Sequence, residues 1–427
     1  MKYPRLTKTA TFAFLMALTF VATTSGAAQE KAIHTFKGNP GMSPHAGLVA
    51  DAAGNLYGTT RYGGCEDGCG LVFELERGSG GSWTYHVLHV FKGGKDGSEA
   101  NGGIIFDASG NLYGTTVSGG GKNSLCYHGC GTVFELSPSS GGWTESVIYR
   151  FQAGTDGDAP ESALVFDQSG NLYGTALFGG SSDNCDDFGC GVVFELSPKS
   201  GGGWTESVLH AFSGADGAYP WAGLIFDATG NLFGTTENGG ASGGGVVFEL
   251  SPAGGKWNQK VLYNFTGGGD GGSPTAKLTF DATGNLYGTT EEGGDSSQCS
   301  DGCGTVFKLK LGSGGNWTES VLHTFSGGSG DGANPMADVV FDTEGNLYGV
   351  ASSGGSANCN GGGCGVVFEL SPKSGSWTET ILYVFAGASD GRLPAGDLIW
   401  DAAGNLYGTT IYGGTLHQLG VVFRFTP

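Results

Sequence analysis

The chain has 427 residues, of which 85 are glycine, and a formal net charge of −20. Glycine at about a fifth of the chain, against a usual ~7%, shows no three-residue period and sits among abundant Val, Leu, Phe, Tyr and Trp, which excludes collagen and disorder. The acidic balance disfavours nucleic acid and anionic lipid, both bound by basic surfaces.

Residues 1–28 read as a secretory signal, with a basic start (Lys2, Arg5, Lys8), an apolar run from Ala10 to Ala22 and a small-residue cleavage site at Gly26-Ala27-Ala28. Removing them takes away three cations and no acid, so the remainder carries −23. No second apolar run approaches the ~18 to 20 residues of a spanning helix. The mature protein is therefore expected to be an exported monomer without a membrane span, in the periplasm or outside the cell.

From Gly47 the chain runs through four short stretches rich in β-branched and aromatic residues. They are Gly47–Asp51, Asn55–Thr60, Gly70–Leu75 and Trp83–Phe91, bounded by Gly, Asp, Asn, Ser or Pro and without helical period. The stretch Gly54-Asn55-Leu56-Tyr57-Gly58-Thr59-Thr60 then recurs, its Asn at Asn55, Asn111, Asn171, Asn231, Asn285, Asn346 and Asn405. A period of 54 to 61 residues marks a repeat architecture. Short links such as Asp107–Gly110 suit antiparallel hairpins.

Seven four-stranded antiparallel units without a helix predict an all-β fold, a seven-bladed β-propeller formed as one domain over residues 29–427. An open solenoid is the alternative. The chain ends decide for the ring: Ala32–Phe36 matches the end of a fourth strand (Val321–Phe325), whereas the last unit stops after its third, Val421–Phe425. The N-terminal strand thus completes the last blade, where a solenoid would leave two unpaired edges.

Phe106-Asp-Ala-Ser-Gly-Asn-Leu-Tyr-Gly-Thr-Thr116 with a downstream Gly-Gly resembles the GloVer-type tandem repeat of exported bacterial proteins. Pro-x-x-x-Leu-x-x-Asp-x-x-Gly-Asn-Leu-Tyr is similar to the NHL-repeat propeller pattern. The first resemblance implies export and repeats, often with a separate C-terminal anchor; as this sequence stops at Pro427, surface anchoring is not expected. The second implies that the Gly-Leu-Ile-Phe-Asp strand is innermost and the Trp-containing strand outermost.

Ten cysteines fall in five local pairs between second and third strands: Cys65/Cys69, Cys126/Cys130, Cys185/Cys190, Cys299/Cys303 and Cys359/Cys364. Even count, strict pairing and an export signal point to disulfides; zinc is disfavoured because each blade offers only two sulfurs. Each bridge closes about five residues and is read as a pin on a loose, glycine-rich tip. Units four and seven lack the pair, so their tips (239–245 and 413–419) are expected to be the mobile ones. Asp51 and its six counterparts are read as turn caps, and so are Asp96, Asp156, Asp216, Asp270, Asp331 and Asp390 in the inter-blade links, with calcium as the alternative for the latter. The Trp that opens each outer strand, as at Trp83, is expected to pack between blades beside strand glycines such as Gly58, rather than stack on sugar. The third-strand acid, Glu74 in the first unit, becomes Lys308 and Arg424 elsewhere and is read as solvated.

No catalytic motif stands out, and no cofactor is called for, a divalent cation being the one candidate. A binding site is therefore sought where strict repeats vary, on the face that carries links and cysteine tips. After the Pro that recurs in the link, replaced by Ala100 in one unit, stand His45, Asn101, Glu161, Trp221, Thr275 and Met336, and two residues on, in three units, Lys277, Asp338 and Asp397. Solvent-exposed drift would give the same variation. Three functions follow: a non-catalytic binding or scaffold protein for a glycan, peptide or surface partner, which is preferred; a metal-assisted lactonase or lyase using Asn101, Glu161, Asp338 or Asp397 with His45 as acid or base; and a purely structural envelope or matrix component.

Overall fold

The computed structural model describes residues 28–66, 68–121, 124–180, 182, 184–185, 188–294, 298–355, 359, 361–414 and 418–427. The expected signal segment up to residue 27, and residues 415–417 of the tip in unit seven, lie outside the described residues. Among the described residues, seven blade sheets form in chain order, each antiparallel and of at least four strands, beside one two-stranded pair, Gly332–Ala333 with Ser353–Gly354. In blade one these are Val49–Ala50, Leu56–Thr60, Leu71–Arg77 and Trp83–Val90, counted from the axis outward. Blades two to six repeat this order. One complete 3₁₀ turn, Ser79–Gly81, is described, and no α-helix among the described residues.

Blade seven takes its outer strand from the other end of the chain. Gln29–Thr35 pairs antiparallel with Val421–Thr426, from Gln29↔Thr426 to Thr35↔Val421, with a bulge between Ala32 and His34. Phe36 then enters the seam with blade one, its ring 5.4 Å from that of Phe73. The ring is closed by the N-terminal strand, as the complementary ends predict.

Blade packing explains the repeated sequence. The second-strand glycine is vacated for an aromatic ring of its own blade: a Cβ on Gly58 would lie 2.8 Å from the Phe73 ring and from Leu48. That Phe in turn meets the Phe that ends the preceding outer strand, as in Phe91–Phe134 at 5.0 Å and Phe385–Phe423 at 5.2 Å. The tryptophans do pack between blades, but on the tyrosine of Asn-Leu-Tyr-Gly: Trp143 on Tyr57, Trp204 on Tyr113, Trp83 on Tyr407. The glycine serves Phe, not Trp.

The inner strands are shorter than the apolar runs suggest, two residues each, because the residues before them leave the sheet to line the axis. There the first Thr of the second strand, fully buried, donates across the seam. Thr59 reaches the carbonyl of Gly102, Thr115 that of Ser162, and Thr409 that of Ala46, at 3.0 to 3.1 Å. Val350 replaces this Thr in blade six.

All five disulfides form as paired: Cys65–Cys69, Cys126–Cys130, Cys185–Cys190, Cys299–Cys303 and Cys359–Cys364, with S–S distances of 2.02–2.09 Å. Their placement corrects the expectation of pins on loose tips. The second cysteine of each pair is a core residue: Cys130, Cys190, Cys303 and Cys364 are wholly buried, and Cys69 nearly so. Each belongs to the same apolar cluster as the Phe that ends its blade's outer strand, as Cys190 does with Phe212, Cys303 with Phe325 and Cys364 with Phe385. Their backbone is held as well, because the carbonyls of Cys190, Cys303 and Cys364 accept from Tyr219, Asn334 and Leu393 N in the following links, at 2.8–3.0 Å. The bridges therefore tie the tips to the blade seams.

Blade four closes its tip without a bridge: Gly245 N donates to Gly239 O, and Ala241 N to the Asn264 side chain. The missing disulfide thus does not leave that tip unheld. The hairpin Asp residues are turn caps; Asp51 Oδ1 accepts from Ala53 N and Asn55 N, both at 2.9 Å. The third-strand acids, in contrast, are half-buried and partnered rather than solvated: Glu74 accepts from the Tyr57 hydroxyl at 2.9 Å, and Glu135 from Ser137.

Candidate functional site

Links and cysteine tips meet on one face, and each link is bent there in the same way. Ser43, Glu99, Ala159, Tyr219, Ser273, Asn334 and Leu393 all have φ between 53° and 61°. A left-handed non-glycine residue persists only where its surroundings hold it. Two backbone hydrogen bonds do so: Glu99 N donates to Cys69 O in the preceding tip, and Val117 N, just beyond the second strand, donates to Glu99 O. In the other six links the next residue is a proline that lies against the glycine preceding the third strand of the previous blade; a Cβ on Gly191 would run into Pro220 Cδ. Rigid links thus aim the next residues at the axis.

The sequence-derived residues fall into two groups there. On one side, Asn101 Nδ2 donates to Glu161 Oε2 at 2.7 Å. On the other, Lys277 Nζ lies 3.1 Å from Asp338 Oδ2 and 3.5 Å from Asp397 Oδ2, while Asp338 N donates to Asp397 Oδ1 at 3.0 Å. Burial and the nearby Asp397 charge push the Asp338 carboxyl up to about 7 against the pull of Lys277, whose own pKa the Asp338 charge raises. Burial, then the Arg61 charge, lowers His45 to about 4, so it is a neutral imidazole at pH 7. Thr275 is buried, and Trp221 and Met336 are half-buried. Three buried side-chain atoms here have no hydrogen-bond partner: Asn101 Oδ1, Thr275 Oγ1 and Asp338 Oδ1. Such atoms are costly unless something satisfies them.

Sequence reasoning missed the residue that follows the second strand. Arg61, Glu237 and Glu291 occupy it in blades one, four and five. Arg61 grips Glu99 at 3.0 Å and faces Glu161. Burial and crowding with Glu237 and Glu292 push Glu291 up to about 7, and burial with Glu292 also raises Glu237. The signal was present: this position varies from Arg to Val, Leu, Glu, Ser and Ile beside an almost constant Gly-Thr-Thr, the same break in symmetry that marks the post-proline position.

The groups postulated for a catalytic metal do not converge. Among the described residues, none of the triples of metal-capable side chains within 4.8 Å of one another includes Glu161, Asp338, Asp397 or His45. Off the axis, a cleft of about 350 Å³ separates the tips of blades five and six. Its lining is largely glycine and tip backbone, with Glu292 and Asn334 at its edge.

Among solved structures, the protein is similar in 93% of its length to 96% of an unknown-function protein from Dyadobacter fermentans DSM 18053, at 8% identity and a TM-score of 0.46. No curated protein matches the sequence. The Gloeobacter/Verrucomicrobia repeat matches residues 16–202, 184–362 and 298–427 in tandem. With matches that overlap from residue 16 to the last, the chain belongs to the Gloeobacter/Verrucomicrobia repeat family.

Proposed function

We propose that this propeller is an exported binding protein that recognises a hydroxyl- or amine-bearing ligand, a glycan first among them, at the axial mouth of its link face. The observation that carries this reading is the set of orphaned atoms at positions where the repeat breaks symmetry. Asn101 Oδ1 and Asp338 Oδ1 accept hydrogen bonds, and Thr275 Oγ1 accepts or donates, so a ligand rich in O–H or N–H groups suits all three. Trp221 adds an aromatic surface, and Glu237 and Glu291 favour a neutral or cationic ligand over an anionic one. The five disulfides support a location outside the cytoplasm.

The lactonase reading draws no comparable support, because the Lys277 ammonium already compensates Asp338 and Asp397. The test is a glycan array probed with the mature chain, followed by calorimetry on any hit. Binding that Trp221→Ala and Asn101→Ala each weaken at least tenfold supports the mouth. Binding that neither change alters, or no binding to neutral or cationic glycans, removes the reading.

A further inference from the structure

At the outer rim of the blade seams a second repeated arrangement varies in a telling way. In six of the seven outer strands the His or Tyr two residues before the closing Phe faces the turn Asp of the link that follows; in the seventh, His34 has no such Asp and stacks on Tyr85 at 4.2 Å. The third residue of the Trp-Thr-Glu motif in the next blade's outer strand approaches the same point. In three seams the ring is tyrosine: Tyr149, Tyr263 and Tyr383 donate to Asp156, Asp270 and Asp390 at 2.8 to 3.0 Å. In a fourth, His210 meets Asp216 at 2.9 Å, and the neighbouring blade offers Gln259, whose Nε2 donates to the Asp216 carbonyl.

Two seams combine histidine with glutamate, and only there is the ring-to-Asp contact long. His89 Nε2 lies 3.4 Å from Asp96 Oδ2 beside Glu145, and His323 Nε2 lies 3.4 Å from Asp331 Oδ1 and 3.7 Å from Glu379 Oε1. Charge-assisted hydrogen bonds are shorter, about 2.7–2.9 Å, as the His210 seam shows. Ligands held about 2.0–2.2 Å from a tetrahedral zinc ion stand about 3.3–3.5 Å apart, close to the separations found. In each triad the three ligand atoms lie within 4.8 Å of one another. His89 Nε2, Glu145 Oε1 and Glu379 Oε1 are moreover buried without a hydrogen-bond partner. Each triad is mostly buried yet close enough to the surface for an ion to enter, with side-chain exposures of 15% for His89, 19% for Asp96 and 13% for Glu379.

We propose that His89, Asp96 and Glu145, and equally His323, Asp331 and Glu379, are two seam sites for a first-row divalent cation, with zinc as the best fit. One imidazole and two carboxylates match its ligand preference and leave a position for water. The third metal-capable grouping, Cys126, Cys130 and Asp158, is of a different kind, since its sulfurs are joined in a disulfide. Because the ligands of each triad come from two blades, the ion would clip a seam that elsewhere relies on a tyrosine or histidine hydrogen bond. The triads use none of the axial residues, so the two readings stand or fall separately.

The test is equilibrium dialysis of chelator-stripped mature chain against zinc at neutral pH, read by inductively coupled plasma mass spectrometry. The expected result is one ion per triad. His89→Gln and His323→Gln should each remove one ion, the double variant both, and His210→Gln neither. Glu145→Gln, which copies the Gln259 seam, guards against a misfolded histidine variant and should weaken its site at least tenfold. Cobalt bound at the same stoichiometry should give the intense visible bands of four-coordination. Absence of retained zinc in the unaltered chain, or a stoichiometry that His89→Gln and His323→Gln leave unchanged, would overturn the proposal.

Discussion

At the residue scale, the balance of charge in the axial channel is the most exposed to test. Lys277 faces two carboxylates, one of them Asp338, which is 4% exposed. Replacing the lysine with Met removes the ammonium that compensates them, so the buried Asp338 can stay beside Asp397 only by holding its proton. Breaking such a pair costs on the order of 3 kcal/mol, so Lys277→Met should lower the melting temperature clearly. Adding Asp338→Asn should recover most of the loss, and a double-mutant cycle by thermal or denaturant unfolding measures the recovery. Additive losses would show that the three groups do not act together. Gly58→Ala tests packing instead: its Cβ would press on Leu48 and Phe73, costing about 1–3 kcal/mol by overpacking.

At the element scale, the ring is closed by seven residues of strand plus Phe36. Ile33 and Phe36 sink into the cluster around Phe73 and Tyr407, so removal uncovers apolar surface in two blades and bares the edge of Val421–Thr426. Deleting residues 29–38 should therefore depress the melting temperature strongly and promote aggregation through the free edge. Unchanged melting would contradict closure by a shared blade. Much of this was legible in the sequence: the four runs of each unit, the strand missing at one end and present at the other, and the cysteine pairs each rest on local pattern. What pattern did not show was partnership across seams. Gly58 pointed to close approach but not to Phe73 as the ring received, and Glu74 looked solvated because its partner, the Tyr57 hydroxyl, lies 17 positions away in the adjacent strand. Cys190, Cys303 and Cys364 looked like tip residues because the glycines around them say nothing of the Phe clusters that bury them. At the mouth, variation at the post-proline position marked the right neighbourhood, yet the Lys277 trio and the Asn101–Glu161 pair form between blades. Their separation into two groups follows from the ring, which no single repeat contains.

At the scale of the whole molecule, the seams should set the response to pH. Glu206, Glu319, Glu379 and Glu30 are each pushed up to about 7, by burial first and, in all but Glu379, next by the link Asp alongside. Burial likewise lifts Glu291 and Asp338 to about 7 at the mouth. A carboxyl whose folded pKa exceeds its unfolded value binds its proton more tightly when folded. Its contribution is thus most favourable below about 4.5 and is lost as pH rises through about 7. Asp216 and Asp331 act oppositely: hydrogen bonds from His210 and Ser213, and from His323 and Ser326, outweigh burial and hold them down to about 2. Their contribution is present above the ordinary Asp range and lost as pH falls toward 2. The two sets together place maximal stability near pH 5, with a decline between about 5 and 8 that an ordinary neutral-optimum protein would not show. Melting curves across this range, in the presence of chelator so that seam cations do not contribute, measure it. Glu206→Gln and Glu319→Gln, in seams whose ring is tyrosine, should flatten the decline by removing the proton that each glutamic acid loses. A melting temperature that rises steadily from pH 5 to 8, or a decline that the double variant keeps in full, would show that the seams do not carry these protons.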